Sequence, residues 1–320
     1  MMKITDRPLV LFNPSAGGGR ALDKCAQLEG TLSRYGIKCE FTVTASEGHL
    51  RELAGRAARK GRTIVGAGGD STFHILVNEI MAAGGRSPAG LVGIGSSNDI
   101  SLEFGLETMD KACRALKEGN VRRIDLGLIT AEDQAPVFFL GQANVGLGAF
   151  VNLYIAGRAK KKFLGARSQT AAGLLGIIDA YRTRKVPVNL RISDGGRTRR
   201  DAYILALFSN IRYWATGRIL CPEARPDDGR LDACLFRDCS LLRLARLNSL
   251  ARRGRHGGHR GVELVRSASF EVTADEPFLV QTDGEILSGP TGPLAVRRAR
   301  FEAVPAALNI IAGPSPIGPR

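Results

Sequence analysis

The sequence predicts an α/β domain with a parallel sheet, followed by a second domain of mostly antiparallel β-structure. Two observations predict this order. Apolar strand-like runs alternate with amphipathic segments up to Asp125, and beyond it strand-like segments are separated by turn residues such as Asp194-Gly195-Gly196. The 320 residues, 44% of them hydrophobic, suffice for one large or two ordinary domains. We expect domains at 1–125 and 126–300, with a segment near 300–315 returning to the first.

Each element of the first domain follows from its apolar pattern. Short apolar runs bounded by turn residues predict buried strands, and a helical apolar period predicts amphipathic helices. The predicted strands cover 8–12, 38–44, 63–67 and 90–94, and the predicted helices cover 21–35, 49–60 and 73–83. Alternation at this spacing implies a three-layer α/β arrangement, with helices on both faces of a parallel sheet.

The second domain is predicted from a series of strand-like segments, with one basic helical insert around 168–183. The predicted strands cover 137–142, 186–193, 202–209, 231–236, 261–265, 269–273, 278–282 and 294–298. The tail from 307 to 320 is apolar and then rich in glycine and proline, so we expect it to fray.

The formal net charge of +14 favours anionic partners such as nucleic acid, acidic lipid surfaces or phosphorylated ligands. The positive charge is concentrated at 158–162, 182–185, 197–200 and 243–260. Only 6% of the residues are aromatic, which disfavours a base-stacking surface. We therefore expect an anionic membrane surface as a partner and no nucleic acid, although for any single cluster a solvated basic face is the simpler interpretation.

No segment predicts secretion or membrane insertion. The start of the chain has no apolar signal core, and the longest apolar stretches, such as 171–178, are far shorter than the roughly 20 residues of a membrane span. We expect a cytoplasmic protein that associates peripherally with the inner face of the membrane.

The six cysteines show no CxxC pairing and are expected to be reduced. His256 and His259 lie among arginines and predict a flexible basic loop rather than a metal site.

Three turns rich in glycine and small residues follow predicted strands, at 13–19, 66–72 and 93–99. All three should emerge at the carboxyl edge of one parallel sheet, where α/β proteins bind ligands. Glycine N–H groups can cradle phosphate oxygens there, and Asp70 and Asp99 could orient donors or hold Mg²⁺ through water. The sequence contains neither GxxxxGK[ST] nor a clean GxGxxG, which excludes a P-loop and a standard dinucleotide fold.

Seven segments occur in a fixed order along the chain: 13–17 (NPSAG), 42–49 (TVTASEGH), 68–72 (GGDST), 95–99 (GSSND), 123–127 (RIDLG), 222–232 (PEARPDDGRLD) and 283–285 (DGE). Together they resemble the diacylglycerol kinase catalytic family, which includes bacterial diacylglycerol kinases, sphingosine kinases and ceramide kinases. The resemblance covers nearly the whole chain. It implies an α/β domain, a β-sandwich-like domain and an ATP cleft between them.

The resemblance also implies roles for particular residues. The implied nucleotide contacts are Asn13, Pro14, Ser15, Ala16, Gly17, Thr44, Gly68, Gly69, Asp70, Ser71, Thr72, Phe73, His74, Ser96, Asn98 and Asp99. The implied Mg²⁺ ligands are the Asp228 side chain and the backbone carbonyls of Arg225 and Arg230. The implied cleft carboxylates are Asp70, Asp99, Asp125, Asp283 and Glu285.

The implied activity is Mg²⁺-assisted transfer of the γ-phosphate of ATP to the hydroxyl of a diacylglycerol, ceramide or sphingoid-type lipid. A carboxylate should accept the hydroxyl proton, with Asp283 or Glu285 as the base and Asp125 as a further catalytic candidate. The sequence does not separate Asp283 from Glu285, and an Asp-Gly pair is also a common hairpin turn.

The sequence departs from the family pattern in places, and alternatives follow. Ser71 replaces the central glycine of GGDGT and would be strained if that position needs a positive φ. His74 and Ile75 stand where the family has Asn and Glu, and Gly93 replaces a proline. The alternatives are a kinase for a soluble acceptor, as in NAD kinases, a catalytically altered nucleotide- or lipid-binding protein, and a nucleic-acid binder. The oligomeric state is left open, with a homodimer as one alternative.

Overall fold

The structure, a computed structural model, describes residues 7–19, 21–132, 134–159, 167–289 and 292–314, without side chains at 158–159 and 167–171. These residues form two compact units. The first combines residues up to 126 with 215–217 and the segment from 305, and the second holds 127–214 and 218–304. The start of the chain, residues 160–162 of the first basic cluster and the end of the tail at 315–320 lie outside the described residues. No described helix has both the length and the apolar character to cross a bilayer.

The first unit begins with alternating strands and helices. In chain order these are β1 (Leu9–Phe12), α1 (Cys25–Arg34), β2 (Glu40–Val43), α2 (Glu47–Arg59), β3 (Ile64–Gly68), α3 (Asp70–Ala82), β4 (Ala89–Gly93), α4 (Asp99–Glu103), α5 (Met109–Glu118) and the first part of β5 (Val121–Ala131). Polar caps fix two helix starts, since the Ser46 hydroxyl accepts a hydrogen bond from His49 N before α2, and Thr108 does the same for Lys111 before α5.

The sheet of the first unit is parallel, in the order β4, β3, β1, β2. Leu9 of β1 pairs with Glu40 of β2 and with Ile64 of β3, which pairs with Ala89 of β4. β1 and β3 are buried throughout, as expected for strands covered on both faces. Helices pack in two pairs, α2 with α3 and α1 with α5. The predicted α/β domain is confirmed, and the carboxyl ends of β1, β3 and β4 share one edge.

The second unit is rich in strands. After the end of β5 it contains β6 (Val137–Phe139), β7 (Gln142–Gly146), α6 (Leu147–Ala159), α7 (Arg167–Arg182), β8 (Val188–Ser193), β9 (Thr198–Ser209), β10 (Tyr213–Trp214), β11 (Arg218–Ile219), β12 (Leu231–Arg237), α8 (Leu241–Ala251), β13 (Val262–Ser267), β14 (Ser269–Thr282), β15 (Glu285–Ile286), β16 (Ser288–Gly289), β17 (Gly292–Pro293) and β18 (Ala295–Ile311).

These strands pair antiparallel in the order β13, β12, β9, β7, β14, β18, and β8 pairs with both β9 and β14. An aromatic cluster fills the core, where the rings of Phe208 and Phe301 stack with centroids 4.3 Å apart and Phe270 lies 5.2 Å from Phe208. The predicted β-sandwich-like second domain is confirmed.

Two expectations for this half of the chain were wrong, and helix α8 (Leu241–Ala251), which begins the basic stretch 243–260, was not predicted. His256 is buried, with Nε2 3.1 Å from Leu220 O and 3.4 Å from Cys234 Sγ, and burial lowers its pKa. The tail forms the end of β18 up to Ile311, where Ile310 pairs with Ala89, instead of fraying from 307.

Candidate nucleotide and catalytic sites

The first two glycine turns are tied together in the first unit. Asn13 follows β1, and its Nδ2 donates to the Thr72 hydroxyl at 2.9 Å in the first turn of α3. Asn13 Oδ1 accepts from Ser15 N at 3.0 Å, which shapes the turn that carries Pro14 and Ser15. A bond across 59 residues therefore holds the ends of β1 and β3 in a fixed relation.

The third turn packs directly on the other two, and only glycine fits at the contacts. A Cβ atom on Gly95 would lie 2.6 Å from the Cα of Gly69, and one on Gly17 would lie 3.3 Å from Ile94 O. Gly17 also has φ +61°, in the left-handed region that favours glycine. The three turns thus form one assembly of closely spaced backbone, as phosphate binding requires.

Asn98 shapes the third turn. It has φ 56°, and its side chain accepts from Gly95 N at 2.9 Å and donates to Gly95 O at 3.0 Å. Asparagine tolerates this left-handed backbone better than most residues. The sequence predicted a nucleotide contact at Asn98. In the structure both polar atoms of its amide are bonded inside the turn.

Asp99 is also part of the framework. Its buried carboxylate accepts from Ser97 Oγ at 2.6 Å, Thr216 N at 3.1 Å and Gly217 N at 2.6 Å. Ala215 and Thr216 both have positive φ, so this segment of the first unit adopts a costly backbone that the carboxylate stabilises. Asp99 was expected in an open carboxylate cluster, and the structure instead assigns both its oxygens to hydrogen bonds within the unit.

A cavity of about 340 Å³ opens beside the turn assembly, lined by Gly17, Asp23, Lys24, Ile94, Gly95 and Ser96. Asp23 and Lys24 belong to a 3₁₀ turn at Leu22–Lys24 and were missed by the sequence analysis, because no motif marks them. Lys24 is exposed and supplies positive charge next to glycine N–H groups. A larger depression of about 540 Å³ near Arg7, Glu29 and Ile37 contains none of the turn residues, so we do not associate it with the site.

Several predicted contacts lie at the start of α3. Ser71 is the second residue of the helix and has no positive φ, so its replacement of glycine introduces no backbone strain. Asp70 Oδ1 accepts from Ile100 N at 3.4 Å. Gly69, Asp70 and Ser71 keep partial exposure, whereas Gly68 is buried at the end of β3.

Three other predicted contacts are core residues. The Phe73 ring is fully buried against Gly66, where an added Cβ would lie 3.3 Å from the ring. His74 is buried in the same helix, and the buried Thr44 hydroxyl donates to Phe12 O at 3.1 Å. The side chains of Phe73 and His74 pack in the core of the unit, and a nucleotide contact at these two positions stays a prediction. Ala16 is buried as well, whereas Ser15 and Ser96 are exposed.

Asp283, one of two predicted bases, is fully buried in the second unit. Its Oδ2 accepts from Leu140 N at 2.7 Å, and its Oδ1 accepts from Gly141 N at 2.9 Å and Gln142 N at 3.0 Å. Its backbone has φ 45°. A base needs an oxygen that can reach a substrate proton. These three bonds make Asp283 an anchor of the hairpin, and its role as the base stays a prediction.

Glu285 follows on β15 and is exposed. Gly284 precedes it with φ 94°, and the Gly284 carbonyl accepts from Asn152 Nδ2 at 2.6 Å. Asn152 of α6, which the sequence analysis missed, and Asp283 together fix the backbone that presents the Glu285 carboxylate. Of the two candidates, Glu285 is exposed and Asp283 is buried.

Asp125 of β5 is buried, and its Oδ1 accepts from Ala306 N at 2.7 Å in the first unit. Ala306 has φ 49°, so Asp125 also stabilises a left-handed residue. Asp125 thus stabilises the backbone at Ala306, and its predicted catalytic role stays a prediction.

The turn of the predicted metal site is neutralised by arginine. Asp228 Oδ1 accepts from Arg230 N at 3.1 Å, and Arg266 Nη1 lies 3.9 Å from Asp228 Oδ2. Arg266 Nη2 also lies 3.1 Å from Asp232 Oδ1, and burial raises the pKa of Asp232 despite this contact. Arg225 Nε is 3.4 Å from Asp227 Oδ1.

One carboxylate and the carbonyls of Arg225 and Arg230 would be suitable oxygen donors for Mg²⁺. The Arg266 guanidinium, however, already supplies the positive charge at this turn. The described residues contain no group of three or more His, Cys, Asp or Glu arranged to hold a metal. The positive charge of Arg266 disfavours Mg²⁺ at this turn, the predicted metal site stays a prediction, and no step of the reaction is derived from it.

Comparison with known proteins identifies the family and its two domains. The model of the diacylglycerol kinase catalytic domain matches residues 7–129, and that of the YegS C-terminal NAD kinase beta sandwich-like domain matches residues 142–312. “Probable lipid kinase YegS-like” of Xanthomonas euvesicatoria pv. vesicatoria is 29% identical over 290 residues, 88% of this chain and 89% of the relative. “Diacylglycerol kinase” of Mycobacterium tuberculosis is 28% identical over 305 residues, 94% of this chain and 93% of the relative.

A crystal structure of a diacylglycerol kinase from Bacillus anthracis has the same fold, with a TM-score of 0.70 at 16% identity over 98% of both chains. The two matched domains and the relatives named lipid kinase and diacylglycerol kinase identify the chain as a kinase of the lipid kinase class. The chain belongs to the diacylglycerol kinase catalytic-domain family, in the form that carries the YegS C-terminal domain.

Proposed function

We propose that this enzyme transfers the γ-phosphate of ATP to the hydroxyl of a membrane lipid of the diacylglycerol, ceramide or sphingoid type. The observation that carries the proposal is the turn assembly of the first unit, where Asn13 bonds Thr72 and Gly95 lies against Gly69. Diacylglycerol is the favoured acceptor, since a relative similar along nearly its whole length bears that name.

The turn assembly would bind ATP through its backbone. Exposed N–H groups of the glycine turns would cradle the phosphates, and Lys24 at the neighbouring cavity would offset their negative charge. ATP would arrive as its complex with Mg²⁺, which neutralises charge on the transferred phosphoryl group. The helical backbone at Ser71 removes one reason to expect a catalytically altered protein.

Glu285 would act as the general base. As the lipid hydroxyl oxygen forms its bond to the γ-phosphorus, the O–P bond to ADP breaks and the hydroxyl proton passes to the Glu285 carboxylate. Asp283 and Asn152 would position this carboxylate through the hairpin backbone. The products are the lipid phosphate, ADP and a protonated glutamate that returns its proton to water.

The acceptor lipid resides in a bilayer, so the enzyme would act at a membrane surface. The net charge of +14 favours an anionic one. A soluble acceptor is a second candidate, because the second unit matches a domain described as NAD kinase-like.

The test is transfer from γ-labelled ATP to diacylglycerol, ceramide and sphingosine in mixed vesicles, with NAD as the soluble acceptor. We expect labelled lipid phosphate from at least one lipid and no labelled NADP. Labelled NADP alone would support the second candidate, and ATP binding without transfer to any acceptor would overturn both.

A further inference from the structure

Helix α7 of the second unit exposes large apolar side chains on one face. Leu174 is 60% exposed, and Leu175 and Ile178 are also exposed. Their spacing places them together, and Arg182 extends the same face one turn further. The opposite face packs on α6, since a Cβ on Gly176 would lie 3.2 Å from the Tyr154 ring. Leu174 and Ile178 therefore lie on the side of α7 that faces away from α6.

Helix α8 exposes two further leucines in its first turn. Leu242 is 85% exposed, and Leu241 is exposed as well. The Ser240 hydroxyl accepts from Arg243 N at 3.4 Å and so fixes the start of the helix. Arg246 follows Leu242 one turn later and is exposed, and Arg252 and Arg253 lie directly beyond the end of α8, so the helix is apolar at its start and basic towards its end.

The two helices are neighbours. The Tyr181 hydroxyl of α7 donates to Cys239 O at 3.1 Å, just before α8. Ile177 and Tyr181 of α7 and Leu244 of α8 pack around one buried cluster that includes Ala180. Five of the eight exposed large hydrophobic residues in the described part of the chain lie on this pair of helices. Such a concentration on one region marks an interaction surface.

The charge of this region is strongly positive. The chain that leaves α7 carries Arg182, Arg184 and Lys185, and α8 with its end carries Arg243, Arg246, Arg252 and Arg253. Asp179 and Asp238 are the acidic residues of 172–185 and 237–255. We call the five exposed apolar residues and these basic residues the α7–α8 surface.

We propose that the α7–α8 surface docks on an anionic lipid bilayer, with the leucines and Ile178 in the interface and the basic side chains against lipid phosphates. This inference rests on the proposed function, which requires access to a bilayer lipid. A second copy of the chain would bring two sets of arginines together in a symmetric interface. Nucleic acid would satisfy the arginines and leave Leu242 and Leu174 without a partner. An anionic bilayer satisfies both.

The test is co-sedimentation of the full chain with vesicles of phosphatidylcholine containing about 30% phosphatidylglycerol, and with phosphatidylcholine alone. The parent should bind the anionic vesicles and release them at high salt. The variant with Leu174→Asp and Leu242→Asp should bind at least about tenfold more weakly, because burying a carboxylate replaces burial of an apolar side chain. Arg246→Glu should lower binding by about fivefold or more.

Matched controls use exposed residues elsewhere. Leu264→Asp on β13 and Arg59→Glu on α2 should bind like the parent, and all variants should keep the parent melting temperature. Equal binding of the parent and the double variant would overturn the proposal, and so would a parent that does not bind anionic vesicles. A double variant that changes from dimer to monomer in sedimentation would assign the surface to a second copy and overturn it as well.

Activity separates this inference from the proposed function. On a short-chain diacylglycerol dissolved as monomer, the double variant should retain the parent rate, while on vesicle diacylglycerol its rate should fall with its binding. If the parent binds vesicles and the variants lose that binding, while the parent phosphorylates no lipid, the result would support the docking surface and overturn the proposed function. An equal loss of both rates would overturn the surface as a docking device.

Discussion

Asn13 and Thr72 lie 59 residues apart in the chain and share a hydrogen bond of 2.9 Å that joins the turn after β1 to the first turn of α3. Neither residue is exposed along the contact, and both belong to the turn assembly that we assign to ATP. The bond fixes the relative positions of two glycine turns that are far apart in the sequence.

Removal of this bond should weaken ATP binding. Thr72→Val deletes the acceptor hydroxyl, and we expect the Kd for ATP to rise about fivefold, which corresponds to about 1 kcal/mol. Asn13→Ala should have a similar effect, and the two changes together should cost less than their sum because they remove one interaction. Isothermal titration calorimetry measures the Kd for ATP, and Thr183→Val of the second unit is the control. Single variants that bind ATP like the parent would argue against the assignment.

The DGE hairpin should separate into an anchor and a base. Glu285→Gln should lower kcat at least about 100-fold with little change in the melting temperature, since it removes an exposed proton acceptor. Asp283→Asn should lower the free energy of unfolding by about 2 kcal/mol, because an amide presents a donor to a backbone N–H that now meets a carboxylate oxygen. Turnover and thermal unfolding measured side by side distinguish the two.

Glu276→Gln, an exposed change in β14, is the control for this pair and should alter neither quantity. A Glu285→Gln enzyme with parental kcat would remove Glu285 from the mechanism. An Asp283→Asn protein that melts like the parent while losing all activity would restore Asp283 as the catalytic candidate.

Lys24 should contribute to ATP binding through its charge. Lys24→Ala is expected to raise the Kd for ATP by about tenfold, with a smaller effect at high salt because solvent-exposed charges are screened. Lys60→Ala, an exposed change after α2, should leave the Kd unaltered. A Kd for Lys24→Ala equal to that of Lys60→Ala would show that the 340 Å³ cavity is not the phosphate subsite.

The Asp228 turn should be independent of metal as long as Arg266 is present. The melting temperature of the parent should be the same in Mg²⁺ and in a chelator. Arg266→Ala should cost about 1–2 kcal/mol of unfolding free energy, since it leaves Asp228 and Asp232 facing each other without a cation. Mg²⁺ should then restore part of that loss. If Mg²⁺ stabilises the parent and does not stabilise Asp228→Ala, the result would support the metal site that the sequence predicts at this turn.

His256 predicts a specific pH dependence. Burial lowers its pKa below the ordinary value of 6.5. The unfolded chain therefore takes up the proton first as pH falls, so the neutral imidazole contributes stability above pH 6.5 that is lost below it. Denaturation by urea at pH 7.5 and 5.5 measures the free energy of unfolding. Between these pH values the parent should lose more of it than His256→Gln. His259→Gln should lose as much stability between the two pH values as the parent. An equal loss in all three proteins would contradict the assignment of this pH dependence to His256.

Much of the first unit follows from its sequence. Strands such as Leu9–Phe12 and Ile64–Gly68 are short apolar runs that end in glycine turns, and their alternation with helices implies the parallel order. α6 and α8 were not predicted, because Leu147–Ala159 has no clear polar face and arginines obscure the period of Leu241–Ala251. Both segments are helical because of their tertiary packing and not because of a clear helical period in the sequence.

The roles within the site were harder to predict. Asp99, Asp125 and Asp283 occupy family positions, yet each accepts a backbone N–H that stabilises a turn, and the partner of Asp283 is 143 residues away at Leu140. A motif shows that a carboxylate is present and not whether its oxygens are already bonded. Arg266 and Lys24 carry no motif and became visible only through distances to Asp228 and to the glycine turns.

The most direct measurement follows label from γ-labelled ATP into diacylglycerol presented in anionic vesicles, for the parent and for Gly95→Val. The parent should form labelled phosphatidic acid, and Gly95→Val should form almost none, because its side chain would occupy the space of Gly69 in the turn assembly. Label transfer by Gly95→Val at the parental rate would contradict the account, as would a parent that labels no lipid.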